Sequence, residues 1–151
     1  GSVGEPIDAD TWNWYHTHIG KGKCHIVDTW WQTETGGIMI TTPKNTFESK
    51  PGFAGFPLPG IQPRIIDEKQ NTIHTANQSG ELILEGNWPG RARTIHNDPT
   101  RFENTYFSSH HDGFITGDGA FIDGTAELEN IINDHRAITE SAIIAIPDAI
   151  K

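Results

Sequence analysis

The chain has 151 residues, of which 34% are hydrophobic, and its formal net charge is −9 at pH 7. This length is sufficient for one core, but the acidic charge argues against nucleic-acid binding, which depends on Lys and Arg. No run of 18 apolar residues occurs, so the sequence predicts no membrane segment. The single cysteine, Cys24, excludes an intrachain disulfide and fits a reducing, cytoplasmic setting.

The first predicted element is a helix over residues 8–18, which Asp8 or Asp10 can cap. A short apolar strand is expected over residues 25–29, and a polar loop over residues 31–37 follows it. Four of the five tryptophans lie in this first part of the chain. An indole serves a core or a flat-ring ligand equally well, so composition alone does not decide between them.

The middle of the chain has a β-like pattern in which Gly and Pro recur. Residues 51–60 are expected to form a turn region, and short strands are expected over residues 62–67, 80–85, 113–116 and 120–122. Many short strands interrupted by Gly and Pro indicate a small distorted β-barrel.

The last part of the chain differs in character. An amphipathic helix is expected over residues 125–134, and a continuous apolar strand within residues 137–147. This unit needs partner strands that the sequence does not supply. We therefore predict a mixed α/β chain with two parts: residues 1–123, and residues 124–151 as the start of an incomplete second domain of α+β type.

The segment DTWWQTETGG, residues 28–37, concentrates polar and aromatic groups. Paired glycines let a backbone approach a ligand closely, hydroxyls and amides suit phosphate oxygens, and a carboxylate suits Mg²⁺. The same residues also describe a turn anchored by tryptophan. The residues alone leave both interpretations open.

This segment resembles the core adenylation motif of AMP-forming acetyl-CoA synthetases, which belong to the adenylate-forming enzymes. Three other regions match the family in the same order. GSVGEPI at 1–7 resembles its adenine loop, and TYF at 105–107 together with FITGDGA at 114–120 resembles its ribose-binding motif. GTAELENI at 124–131 resembles the first helix of its small C-terminal domain. A TGD triplet alone is a weak signal, whereas this ordered set is specific. The resemblance implies that residues 1–123 are the end of the large adenylation domain.

The resemblance implies a role for each matching residue. The residues expected to bind ATP or AMP are Gly4, Glu5, Pro6, Asp28, Thr29, Trp30, Gln32, Thr33 and Asp118. Trp30 would stack on adenine, and Asp118 would accept hydrogen bonds from the ribose hydroxyls. Val3 and Trp31 would wall the acetate pocket, and Glu34 would hold Mg²⁺. No catalytic residue is expected within this chain.

The implied activity is that of a ligase that activates acetate with ATP to acetyl-adenylate and transfers the acetyl group to CoA. The implied partners are these small molecules and the rest of the same polypeptide, with neither nucleic acid nor membrane. The family's phosphate loop and lysine would lie outside this chain, which by itself is expected to be inactive.

One internal position departs from the family. At Asp123–Gly124 the sequence runs FID directly into GTAELE, where the family has a glycine-rich hinge. Either the hinge residues belong to the molecule and are missing from the sequence as numbered, or they have been deleted.

Two other functions stay open. One is a different short-chain acyl-CoA ligase, such as a propionate enzyme, because excluding one methylene is typically worth only about 1–3 kcal/mol. The other is a noncatalytic β-rich module that binds a sugar-like ring through Trp30 and Trp31. Structural zinc is not expected, since His16 and His18 would lie on different helix faces.

Overall fold

The computed structural model describes residues 1–44, 49–107, 113–124 and 144–145. Within these segments the helices are α1 (Ala9–Trp14), a π-helical turn (Tyr15–Ile19), a 3-10 turn (Thr33–Thr35) and α2 (Pro99–Tyr106). The strands are β1 (Thr29–Trp30), β2 (Ile40–Thr41), β3 (Phe53–Pro57), β4 (Gln62–Ile66), β5 (Gly80–Glu85), β6 (Gly113–Ile122) and β7 (Ile144–Ala145). The predicted mixed α/β class is confirmed.

The strands form two small antiparallel sheets. One contains β1, β2 and β3, the other contains β4, β5 and β6, and β7 pairs with β3 and β6 to connect them. The order is β1-β2-β3-β7-β6-β5-β4, with β1 and β4 at the open edges. The described strands therefore do not close into the expected small distorted barrel. Strands β1 and β2 have two residues each, too few for the tilt and stagger that closure requires.

The predicted N-terminal helix is confirmed and begins at its expected cap. The Asp8 carboxylate accepts a hydrogen bond from the backbone N–H of Thr11 at 2.9 Å. After α1 the chain widens into a π-helical turn, which ends where the N–H of Gly20 donates to the carbonyl of Tyr15 at 2.9 Å. The sequence pattern predicted the helix but not this change of winding.

A bulge interrupts β6 where the sequence predicts two separate strands. Glu81 of β5 pairs with Gly119 and Ile83 pairs with Ile115, so Leu82 lies opposite three residues, 116–118. Gly117 supplies the left-handed backbone (φ +73°) that such an irregularity favours. The bulge takes Asp118 out of the one-to-one residue pairing between β5 and β6.

Three further elements differ from the sequence-based expectation. Strand β1 covers Thr29–Trp30, so it begins at the last residue of the strand expected over residues 25–29. Strand β3 lies inside the segment expected to be a turn region, and it requires Gly55 because a Cβ there would lie 2.0 Å from Oγ1 of Thr42. Helix α2 was missed, although Asp98 caps it by accepting from the N–H of Arg101 at 3.0 Å and Pro99 occupies its first turn.

The core lies beneath β5 and β6. Leu82, Ile83 and Leu84 of β5 are fully buried together with Phe114 of β6, and Trp88 packs edge-on against Phe114 at 5.8 Å between ring centroids. The predictions for residues 125–134 and for most of 137–147 lie outside the described residues. Among the described helices, none has the length and apolar character needed to cross a membrane.

Candidate functional site

A cleft of about 200 Å³ opens between the N-terminal segment, β1 and the start of β3. It brings together eight of the residues predicted from the sequence: Gly4, Glu5, Pro6, Asp28, Thr29, Trp30, Trp31 and Asp118. These residues come from three separate parts of the chain. The fold therefore brings most of the predicted site residues together around one space.

Four predicted residues do not line this cleft. Val3 is 63% exposed beside it, and Gln32, Thr33 and Glu34 lie beyond Trp31 on the 3-10 turn and its entrance. The sequence reasoning also missed part of the wall, which is formed by Gly52, Phe53 and Ala54 together with Ser2 and Ile7. Residues 52–54 were missed because they were assigned to a turn region instead of to β3.

The N-terminal segment is anchored next to β1. The N–H of Ser2 donates to the carbonyl of Val27 at 2.8 Å, and the hydroxyl of Thr29 donates to the carbonyl of Ser2 at 3.0 Å. Ser2 and Asp28 form an isolated parallel bridge. This pairing brings the segment that contains Gly4 to Pro6 alongside the residues that begin the DTWWQTETGG motif.

Asp28 is a buried carboxylate without a well-formed hydrogen bond. It is 8% exposed, and no described donor meets either of its side-chain oxygens with good hydrogen-bond geometry. Burial raises the pKa of Asp28 to about 6, whereas the N-terminal charge, the Trp12 indole N–H and His25 act to lower it. The Trp12 N–H is itself buried and has no partner in good geometry, so its interaction with Asp28 satisfies neither group fully. A buried acceptor without a well-formed hydrogen bond destabilises the fold.

Asp118 receives two hydrogen bonds on a single oxygen. The indole N–H of Trp30 donates to Oδ2 at 3.0 Å, and the side-chain amide of Gln32 donates to the same atom at 2.9 Å. That amide also donates to the carbonyl of Thr116 at 2.8 Å. The last residue of β1 and the segment that follows it are therefore joined to the bulge of β6.

The 3-10 turn that carries Glu34 is held by neighbours on two sides. The indole N–H of Trp88 donates to the carbonyl of Thr35 at 2.8 Å, and the hydroxyl of Tyr106 donates to Oε1 of Glu34 at 2.9 Å. This hydrogen bond is the main cause that raises the pKa of Tyr106. Tyr106 contacts a predicted site residue, and only its place in the TYF segment signalled it.

Gly36 permits the close approach behind this turn. Its backbone is left-handed (φ +71°), and a Cβ at this position would lie 2.0 Å from the carbonyl oxygen of Gly90. A Cβ at Gly37, the second of the paired glycines, would meet nothing within 4 Å beyond its chain neighbours. Only the first glycine of the pair is therefore required by packing among the described residues.

Among the described residues there is no group of three or more His, Cys, Asp or Glu side chains that could hold a metal ion. Glu34 would offer a cation one carboxylate, of which Oε1 already accepts from the Tyr106 hydroxyl. A Mg²⁺ ion bound to substrate phosphates commonly takes one or two carboxylates from the protein. The donor set around Glu34 fits that kind of site and not a closed protein cage.

Residues 1–92 match the family described as AMP-binding enzyme. This range includes every cleft residue named above except Asp118. The chain belongs to this family.

Relatives with similar sequences are called acetyl-coenzyme A synthetase. The protein from Pseudoalteromonas translucida (strain TAC 125) is 43% identical over 173 positions, which cover 100% of this chain and 27% of the relative. The protein from Rubrobacter xylanophilus is 47% identical over 158 positions, covering 97% of this chain and 24% of the relative. The protein from Salmonella typhimurium is 43% identical over 100% of this chain and 26% of its own length. The chain thus spans about a quarter of each.

The alignment with the Pseudoalteromonas relative extends over 173 positions, whereas the chain has 151 residues, a difference of 22. At least that many residues of the relative therefore have no counterpart here.

We predict that Asp28 makes stability fall as the pH rises from about 4 to 6. The folded pKa of about 6 lies above the ordinary value of 3.8, so the folded state binds more protons in this window. Asp28→Asn removes this dependence. The free energy of unfolding of the variant minus that of wild type should therefore increase as the pH rises through the window. Urea unfolding at a series of pH values from 4.5 to 7 measures it.

Asp67→Asn provides the control. Hydrogen bonds from Asn71 lower the pKa of Asp67, so any effect of its titration on stability falls at a pH below this window. Its difference from wild type should be constant from pH 4.5 to 7. A constant difference for Asp28→Asn as well would contradict the burial of a carboxylate without a well-formed hydrogen bond.

Proposed function

We propose that this chain forms the adenine and ribose half of the nucleotide site of an AMP-forming acetate–CoA ligase. The whole protein would join acetate to the α-phosphorus of ATP with release of pyrophosphate. The thiolate of CoA would then attack the acetyl carbon and displace AMP. The observation that carries this proposal is the carboxylate of Asp28, which is buried without a well-formed hydrogen bond in a cleft whose walls include Trp30 and Trp31.

The surroundings of Asp28 favour a flat ring that carries an N–H donor. With its pKa near 6, the carboxylate is mostly ionised at neutral pH and accepts hydrogen bonds only. The exocyclic amine of adenine supplies such a donor, and aromatic walls suit the ring face. The family match and the names of the relatives support this ligand over a sugar.

We assign the remaining polar residues to the ribose, the phosphates and Mg²⁺. Asp118 lines the cleft beside Trp30 and offers an acceptor for the ribose hydroxyls. Thr33 begins the 3-10 turn, where its hydroxyl and backbone suit a phosphate oxygen. Glu34 would hold Mg²⁺, which when bound neutralises charge on the phosphates as pyrophosphate leaves.

The acyl pocket would lie on the exposed side of the cleft. Trp31 is 45% exposed and Val3 is 63% exposed, so both side chains are open to the space beside the cleft. We propose that these two residues face the acetate methyl group and that the rest of the polypeptide completes the pocket.

We also propose the domain division at residues 123 and 124. The excess of aligned positions in the relatives supports a missing hinge at Asp123–Gly124. In this proposal residues 1–123 end the adenylation domain, and residues 124–151 begin the small domain whose rotation would bring CoA to the adenylate.

Binding of AMP to the purified chain tests this function. We expect a saturable change in tryptophan fluorescence with AMP and none with an oligosaccharide such as cellohexaose. Asp28→Asn replaces an acceptor of charge −1 by a neutral amide, so it should weaken AMP binding by about 10-fold or more. Asp67→Asn should bind like wild type.

A response to the oligosaccharide without a response to AMP would favour the noncatalytic binding module instead. Equal affinity of wild type and Asp28→Asn for AMP would remove the observation on which the proposal rests.

The acyl pocket is tested in a complete ligase that contains this chain. Trp31→Gly should shift the preference among acids, because removing the indole opens space beyond the acetate methyl group. The ratio of kcat/KM for butyrate to that for acetate is expected to rise by about 10-fold or more, because the indole would no longer exclude the longer chain. Trp14→Gly removes another exposed indole, outside the cleft, and should leave the ratio unchanged. An unchanged ratio in Trp31→Gly would show that Trp31 does not wall the pocket.

A further inference from the structure

We infer that Trp30 and Gln32 are positioning residues that orient the Asp118 carboxylate, so that one oxygen is held by the protein and the other is presented to the ribose. This inference rests on the proposed nucleotide site. It assigns to Gln32 a role different from the direct ligand contact that the sequence implies. It also gives Trp30 a second task besides lining the cleft.

Asp118 needs an external restraint because of where it lies. The bulge of β6 removes it from the regular strand pairing on either side, and Gly117 and Gly119 flank it. The backbone N–H of Asp118 donates to Oγ1 of Thr116 at 3.0 Å, which orders its backbone. The side chain itself still has two rotatable bonds, so the two oxygens would exchange places unless donors distinguish them.

The donors from Trp30 and Gln32 distinguish the two oxygens. Both bonds go to Oδ2, at 3.0 and 2.9 Å, whereas Oδ1 accepts none from any described residue. Hydrogen bonds to an ionised acceptor are the stronger ones, so this arrangement favours one orientation of the carboxylate. Oδ1 is then the atom left for a ligand hydroxyl.

The geometry of Gln32 leaves no donor for the nucleotide. Its two side-chain amide hydrogens are used by Oδ2 of Asp118 and by the carbonyl of Thr116, at 2.9 and 2.8 Å. The opposite amide orientation would place the amide oxygen against these two acceptors, so the assignment is determined by the contacts. Gln32 also lies outside the set of residues that line the cleft.

Trp30 couples the two halves of nucleotide recognition. Its ring is 7% exposed and lines the cleft, while its N–H is committed to Asp118. A residue that contacts the adenine region thereby sets the position of the ribose acceptor. Loss of the N–H alone is expected to affect recognition of the ribose hydroxyls specifically.

The test compares the affinities of AMP and 2′-deoxy-AMP by NMR titration of the full chain. Wild type should prefer AMP by about 10-fold, the effect of one hydrogen bond to a charged group. Asp118→Ala should abolish the preference. Gln32→Met and Trp30→Phe, which remove donors and keep approximate shape, should each reduce it to about 3-fold or less, with a smaller change in affinity for 2′-deoxy-AMP.

Trp88→Phe is the matched control. It also removes a buried indole N–H, which donates to the carbonyl of Thr35 at 2.8 Å instead of to Asp118. A role that is merely structural would give Trp88→Phe and Trp30→Phe the same preference for AMP. The inference is overturned if Gln32→Met and Trp30→Phe both retain the wild-type preference.

A measurement without nucleotide separates this inference from the proposed function. The indole N–H signal of Trp30, identified by its absence in Trp30→Phe, should exchange with solvent about 10-fold faster or more in Asp118→Ala than in wild type. If wild type does not bind AMP, the proposed function fails and this exchange rate alone decides the role of Trp30 as a donor. Equal exchange rates would refute the positioning contact.

Discussion

The cleft depends on the hydrogen bonds that join the end of β1 and the residues after it to the bulge of β6. Trp30 ends β1 and Gln32 follows it, whereas Thr116 and Asp118 belong to the second sheet, 84 to 88 positions further along the chain. The strand pairing between the two sheets runs through the two residues of β7. The polar contacts act together with a hydrophobic core shared by both sheets, which contains Trp30, Ile40 and Ala54 as well as Leu82, Leu84 and Phe114.

A second constraint is the buried carboxylate of Asp28, which has no well-formed hydrogen bond and therefore costs stability. Its burial disfavours the ionised form, and the Trp12 indole N–H compensates only in part, as the raised pKa shows. Asp118 is the opposite case, because two donors satisfy one of its oxygens. One aspartate is thus left open to a ligand donor, and the other is oriented in advance. Such local departures from optimal stability are characteristic of functional sites.

The sequence predicts the elements that depend on local pattern and misses those that depend on distant contacts. Strands β4 and β5 follow from short apolar runs between turn residues, and β5 has the predicted bounds. Strand β3 was missed because Gly and Pro normally indicate turns. Gly55 instead lies within the strand, where a side chain would clash with Thr42. The orientation of Gln32 toward Thr116 has no local signature. Motif order identified most of the cleft residues, but it could not reveal which of them contact one another.

A structure of the chain with bound AMP, determined by crystallography or by intermolecular NOEs, tests the central claim most directly. We expect the adenine between the Gly4 to Pro6 segment and Trp30, its amine at Asp28, and a ribose hydroxyl on Oδ1 of Asp118 while Oδ2 keeps its bonds to Trp30 and Gln32. The account would be contradicted by AMP bound elsewhere on the chain. It would be contradicted equally by a bound ribose that leaves Asp118 without a contact.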